Sequence, residues 1–107
     1  MPSKEEVLKR LHEMGVIGIF RVESPDVCFK AMDALRAGGL HALEVTTTTP
    51  NAVEVVREAR SKYGNETLIG LGTVLDAETA EKGIEAILPI RRYSILPRFI
   101  SLIKSSA

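Results

Sequence analysis

One local pattern limits what this chain can become. A run of apolar residues of strand length ends in a polar residue, a capped helix follows, and glycine stops the helix. The pattern occurs three times, at a spacing of roughly 25 residues, and alternation of this kind predicts a parallel sheet with right-handed helical crossovers. The strands are expected over 16–22 (VIGIFRV), 40–46 (LHALEVT) and 67–74 (TLIGLGTV). Their dense apolar content, without alternation in the first, predicts strands buried on both faces. Ser24-Pro25-Asp26 starts the helix after the first strand, with Val27, Cys28, Ala31, Met32 and Leu35 as its inner stripe and Gly38-Gly39 as its stop. Thr49-Pro50 reads as N-cap and first residue of the next helix. Ala52, Val53, Val56 and Ala59 should face inward there, and Gly64-Asn65 close it. Asp76 caps a last helix through Thr79, Ala80 and Ile84. Ahead of all three units, Ser3 to Glu6 forms a capping box for a helix carrying Val7, Leu8, Leu11 and Met14, with Gly15 as its stop.

Parallel α/β folds gather functional groups at the carboxyl ends of their strands. Arg21, Glu44 and Thr73 are the polar residues at those positions. Glu44 stands out, because an ionised carboxylate in a dry strand is costly unless it is paired or faces a cleft. The plainer reading is a glutamate that reaches solvent or pairs with an arginine; the chemical one is an acid or base for proton transfer. Gly70 and Gly72 would let a backbone approach the carboxyl end of the third strand.

Composition removes several classes. The chain has 107 residues, 45% hydrophobic and 26% charged, with zero formal net charge. A balanced charge and a scarcity of aromatic residues argue against a nucleic-acid partner. No apolar run is long enough to span a membrane, and Pro2 to Met14 is too charged for a signal peptide. Cys28 is the only cysteine, which excludes an internal disulfide and fits a reducing, cytoplasmic setting. Its helical position favours a small buried hydrophobe over a nucleophile. His12 and His41 lie far apart, and no Cys/His/carboxylate cluster has metal-ligand spacing, so no metal or other cofactor is expected.

Three segments, Val16 to Ser24 (VIGIFRVES), Gly38 to Pro50 (GGLHALEVTTTTP) and Ile69 to Leu75 (IGLGTVL), together resemble the amino-terminal part of the 2-keto-3-deoxy-6-phosphogluconate (KDPG) and 2-keto-4-hydroxyglutarate (KHG) aldolases. The resemblance runs over about residues 4 to 86. It implies the amino-terminal portion of a (β/α)8 TIM barrel and class I aldolase chemistry. In such chemistry a Schiff base to lysine leads to pyruvate and an aldehyde, and the full-length parent is a homotrimer. By position Glu44 corresponds to the general acid/base, and Thr73 to a residue that holds the pyruvate carboxylate. Many members carry an arginine where Thr48 stands here; others carry one at the end of the first strand, so carboxylate binding is assigned to Arg21. The expected partner is a small 2-keto acid.

The family's nucleophilic lysine belongs to a sixth strand, beyond the part that matches. The expectation is therefore a partial barrel over residues 1–86, truncated before that lysine, and a tail foreign to the family over 87–107. That tail carries Arg91, Arg92, Arg98 and Lys104 with no acid. Lys104 sits on no matching motif and is not assigned as the nucleophile. A non-catalytic fragment that binds a partner through its open sheet edge and apolar tail is the alternative.

Overall fold

A computed structural model describes residues 2–87. The tail over 88–107, with Lys104, lies outside the described residues. Four helices and three strands alternate: α1 (Lys4–Met14), β1 (Gly18–Phe20), α2 (Pro25–Ala37), β2 (Ala42–Thr46), α3 (Ala52–Tyr63), β3 (Leu68–Gly72) and α4 (Ala77–Ile87). The strands form one parallel sheet in the order β1-β2-β3. Ile19 pairs with Glu44, and Glu44 with Gly70, so these three residues lie level across the sheet. This is the expected α/β architecture, consistent with the amino-terminal part of a TIM barrel.

The core lies on the helix side. Phe20, Leu43, Val45 and Ile69 project from the sheet into Cys28 and Met32 of α2, Val55, Val56, Ala59 and Tyr63 of α3, and Ala86 of α4. The stop signals act as expected: Gly15, Gly39 and Gly64 have positive φ, the region in which glycine carries no Cβ penalty. Ser3 and Ser24 accept from the amides of Glu6 and Val27. Asp76 Oδ1 accepts from the Thr79 amide at 2.7 Å, so the predicted cap of α4 forms.

Three expectations fail for physical reasons. The strands are shorter than their apolar runs, β1 above all. Its other face is open among the described residues, with Ile17 and Ile19 about half exposed (48% and 57%), so the run is not buried on both sides. The inner stripe of α2 narrows to Cys28 and Met32, while Val27 is 51% exposed, because three strands cover only part of that helix. Finally, α3 begins at Ala52 rather than at Pro50. Asn51 is its N-cap in the left-handed region (φ 55°), a conformation its short polar side chain tolerates, and Thr49 does not cap it.

Candidate active site at the carboxyl ends of the strands

Glu44 is the third of five residues in β2 and points to the open face of the sheet. It is half-buried, and it sits in mid-strand rather than at the strand's mouth. Its side chain nonetheless leans toward the carboxyl end, because its carboxyl group lies over Gly72. A Cβ at position 72 would stand 2.5 Å from both Cδ and Oε1 of Glu44 and 2.9 Å from Oε2. A side chain there would have to displace the carboxyl group. Gly72 thus admits a carboxylate rather than a neighbouring backbone, which refines the sequence reading of the two glycines. Gly70 has no such neighbour; the nearest atom to a Cβ there is the Leu43 carbonyl oxygen at 4.0 Å.

Four threonines after Glu44 tie the strand ends together. Thr46 Oγ1 donates to the carbonyl of Phe20, the last residue of β1, at 2.9 Å. It also lies 2.6 Å from Thr48 Oγ1. The Thr47 amide donates to the Gly72 carbonyl at 3.0 Å, and its hydroxyl donates to the Thr73 carbonyl at 2.6 Å. The Thr49 amide donates to the Thr46 carbonyl and closes the turn. Thr49 Oγ1, by contrast, is buried with no hydrogen-bond partner among the described residues.

Thr73 follows β3 directly and adopts φ 58°. For a β-branched residue the left-handed region is an outlier that costs about 1–3 kcal/mol, so the surroundings must impose it. The Thr47 hydroxyl on the Thr73 carbonyl is one such constraint. Arg21 follows β1 as Thr73 follows β3; it is exposed and has no ion pair or hydrogen bond among the described residues. The fold therefore brings Glu44 and Thr73 together through Gly72 and Thr47. It places Arg21 at the same end, beyond the Phe20 carbonyl that Thr46 holds. Sequence reasoning missed Thr46 and Thr47 as builders of this end, and it placed Gly72 there for a backbone approach rather than for a carboxylate. The signal for the first two was present, since four consecutive threonines at a strand end offer more hydroxyls than a turn requires.

The opposite end of the sheet is built differently. Tyr63 Oη donates to Asp33 Oδ1 at 2.6 Å, Lys62 Nζ lies 3.2 Å from Asp33 Oδ2, and the Arg36 guanidinium stacks 4.1 Å from the centre of the Tyr63 ring. Arg36 also donates to Thr67 Oγ1 at 2.8 Å and pairs with Glu66, while His41 Nδ1 lies 3.2 Å from Thr67 Oγ1. The Tyr63 hydroxyl holds the Asp33 carboxyl below its usual range, with Lys62 assisting. Burial, then the bond to Asp33, raises the Tyr63 phenol well above its ordinary value. These groups satisfy one another, as expected at the stability face of a parallel α/β fold.

An apolar cavity of about 310 Å³ lies between α1 and the sheet, with Val7, Leu11, Ala42, Glu44, Gly70 and Ile87 in its wall. Cys28 is fully buried, and burial raises its thiol pKa, so it is the small hydrophobe expected. Among the described residues no group of three His, Cys, Asp or Glu could hold a metal ion, and no helix is long and apolar enough to cross a membrane. All five lysines in the described residues lie on helices. Lys62 is committed to the end opposite Glu44, and Lys9 and Lys82 pair with glutamates along their own helices.

Comparison with known proteins agrees with this geometry. The aldolase family model described as KDPG and KHG aldolase matches residues 6–88. Over 54 residues, 50% of this chain, the sequence is 43% identical to the 2-dehydro-3-deoxy-phosphogluconate aldolase of Zymomonas mobilis subsp. mobilis. The matched stretch spans 25% of that relative's length.

Proposed function

The chain belongs to the KDPG and KHG aldolase family, and from that membership we propose that its strand ends supply the proton-transfer and carboxylate-binding part of a class I aldolase site for a 2-keto acid. The observation that carries this reading is the Glu44 carboxyl, lodged over Gly72 on the open face of the sheet and one strand from Thr73.

In the proposed reaction a lysine amine condenses with the keto carbon, and the resulting iminium is the electron sink. Glu44 takes the proton of the hydroxyl on the carbon to be released. The carbon–carbon bond breaks, an aldehyde leaves, and the electron pair passes into an enamine. Glu44 then returns its proton to the enamine carbon, and hydrolysis frees pyruvate. Arg21 offers a planar fork of N–H donors for the substrate carboxylate, and Thr73 adds a hydroxyl beside it. In the family pattern the amine belongs to a later strand, outside the residues matched here. The cleavage of KDPG or KHG and assembly as a trimer stand as proposals for the whole protein.

A second reading is favoured by the half-exposed Ile17 and Ile19: a non-catalytic chain that uses this face to bind a partner. Two measurements separate them. Pyruvate added to the isotope-labelled chain should shift the amide signals of Arg21, Gly70, Gly72 and Thr73, and borohydride should trap pyruvate covalently wherever a competent amine is present. Saturable shifts without trapping would mean that the site binds its ligand and the amine is supplied elsewhere. Absence of both would overturn the aldolase site and leave the partner-binding reading.

A further inference from the structure

In a parallel ladder the carbonyls of one strand face its two edges in turn. The Gly72 carbonyl faces β2 and accepts from the Thr47 amide at 3.0 Å. The next carbonyl of a continuing strand would face the opposite edge. Instead the Thr73 carbonyl accepts from the Thr47 hydroxyl at 2.6 Å, so one residue after β2 holds two consecutive carbonyls at the end of β3. The backbone turns back at Thr73 through its left-handed φ of 58°. The conformation that a β-branched residue avoids is thus the one that brings its carbonyl to Thr47. An amide at position 47 holds Gly72 whatever the side chain is; the bond to Thr73 needs a hydroxyl on the Cβ of residue 47.

We propose that Thr47 is a positioning residue, whose hydroxyl holds Thr73 in the left-handed region and so sets where the Thr73 hydroxyl stands for the ligand carboxylate. The ladder fixes the chain as far as Gly72, and from there the φ of Thr73 decides the direction in which its Cβ leaves the backbone. The Glu44 carboxyl is lodged over Gly72, the preceding residue. An extended Thr73 would therefore change the spacing between the proton-transfer group and the hydroxyl assigned to the carboxylate. This inference rests on the proposed 2-keto acid site and deepens it by naming the group that sets the geometry of Thr73.

The test compares Thr47→Val, Thr47→Ala and Thr47→Ser with the unaltered 107-residue chain, all isotope-labelled. The first two lack the hydroxyl and differ in bulk, and the third keeps it. The backbone conformation of Thr73 is read from its amide–Hα coupling and carbon shifts, and affinity from titration with pyruvate. Thr47→Val and Thr47→Ala should move Thr73 out of the left-handed region and weaken pyruvate roughly tenfold, the worth of one net hydrogen bond. The amide at position 47 should keep its exchange protection, because its bond to the Gly72 carbonyl remains. Thr47→Ser should keep both the left-handed Thr73 and the affinity. A left-handed Thr73 or an unchanged affinity in the two variants without the hydroxyl would overturn the inference while the keto acid site stands. Affinity lost together with the exchange protection would also overturn it, since Thr47 would then only hold the fold. An unaltered chain that binds no pyruvate would overturn the site and, with it, the inference.

Discussion

Replacing Gly72 by alanine tests the geometry at its tightest point. The added Cβ would stand 2.5 Å from Glu44 Cδ, whereas carbon atoms in contact prefer roughly 3.5–4.0 Å. The carboxyl must therefore retreat by about 1 Å or more. The backbone has no objection, since Gly72 is not among the residues of positive φ. Alanine in a strand interior is worth about 0.5–1 kcal/mol over glycine, an upper bound for Gly72 as the last residue of β3. Pushing one flexible side chain off its rotamer costs about 0.5–1.5 kcal/mol. The two nearly cancel, so urea denaturation should place Gly72→Ala within about 1 kcal/mol of the parent chain. The effect on chemistry is of another size: a misplacement of about 1 Å can cost roughly a hundredfold in rate. The direct readout is NMR of the Glu44 γ-methylene and δ-carboxyl groups, which should shift in Gly72→Ala and stay in place in Gly70→Ala, where no atom is crowded. Two results would refute the reasoning. One is a stability loss of several kcal/mol, which would mean that the strand yields instead of the side chain. The other is a Glu44 signal that ignores the new methyl group.

Other perturbations separate further parts of the argument. Thr49→Val should leave stability unchanged or raise it by about 1 kcal/mol, because it removes a buried hydroxyl without a partner; a loss of about 1 kcal/mol in urea denaturation would instead fit the N-cap role that its sequence position suggested. Asp33 and Asp76 are both held below the ordinary carboxyl range, Asp33 mainly by the Tyr63 hydroxyl and Asp76 mainly by the Thr79 amide. The unfolded chain then binds more protons in acid, so their contribution is complete above about pH 4 and lost as pH falls through the lower folded values. Stability measured against pH should decline less steeply below pH 4 in Asp76→Asn, and an unchanged slope would refute this. The Tyr63 phenol is raised, so its contribution is complete below about pH 10 and lost as pH rises through its higher folded value; in an ultraviolet titration it should ionise only with alkaline unfolding. Cys28, buried and with its thiol pKa raised, should resist thiol reagents in buffer and react at the rate of unfolding in urea.

The repeat was legible because each of its parts is local. Strand-length apolar runs, Ser24 and Asp76 at helix starts, and glycines at helix ends describe neighbours in sequence, and all of them formed. The failures lie where a residue's fate depends on partners distant in sequence. Whether Ile19 is covered depends on what lies across the open face, not on its own run. Thr49-Pro50 has the local form of a helix start, but the turn that pins the Thr49 amide to the Thr46 carbonyl moves the start to Ala52. That Arg21 and Thr73 follow their strands directly was legible from the sequence, whereas Glu44 lies in mid-strand and only its carboxyl group leans toward that end. The lodging of a carboxyl over Gly72 was not legible, because it requires the register that sets Thr46 level with Gly72. The network of Asp33, Tyr63, Arg36 and Thr67 was invisible for the same reason, since its members come from α2, α3 and the entry to β3.

The two ends of the sheet show opposite relations between sequence and stability, and that contrast argues for where function lies. At the amino-terminal end the hydroxyl of Tyr63, the carboxylate of Asp33 and the guanidinium of Arg36 each find a partner, and the described backbone there has no positive φ outside glycine. At the carboxyl end a β-branched residue is held left-handed at Thr73, a buried hydroxyl goes unmet at Thr49, and a carboxyl group occupies the space a side chain would take at position 72. None of these helps the chain to fold. Departures from local consistency gather at functional sites because the rest of the fold can carry them. These unmet costs, together with the topology, support the proposal that the carboxyl end is the working end. The satisfied network opposite is the part of the molecule that can offset them.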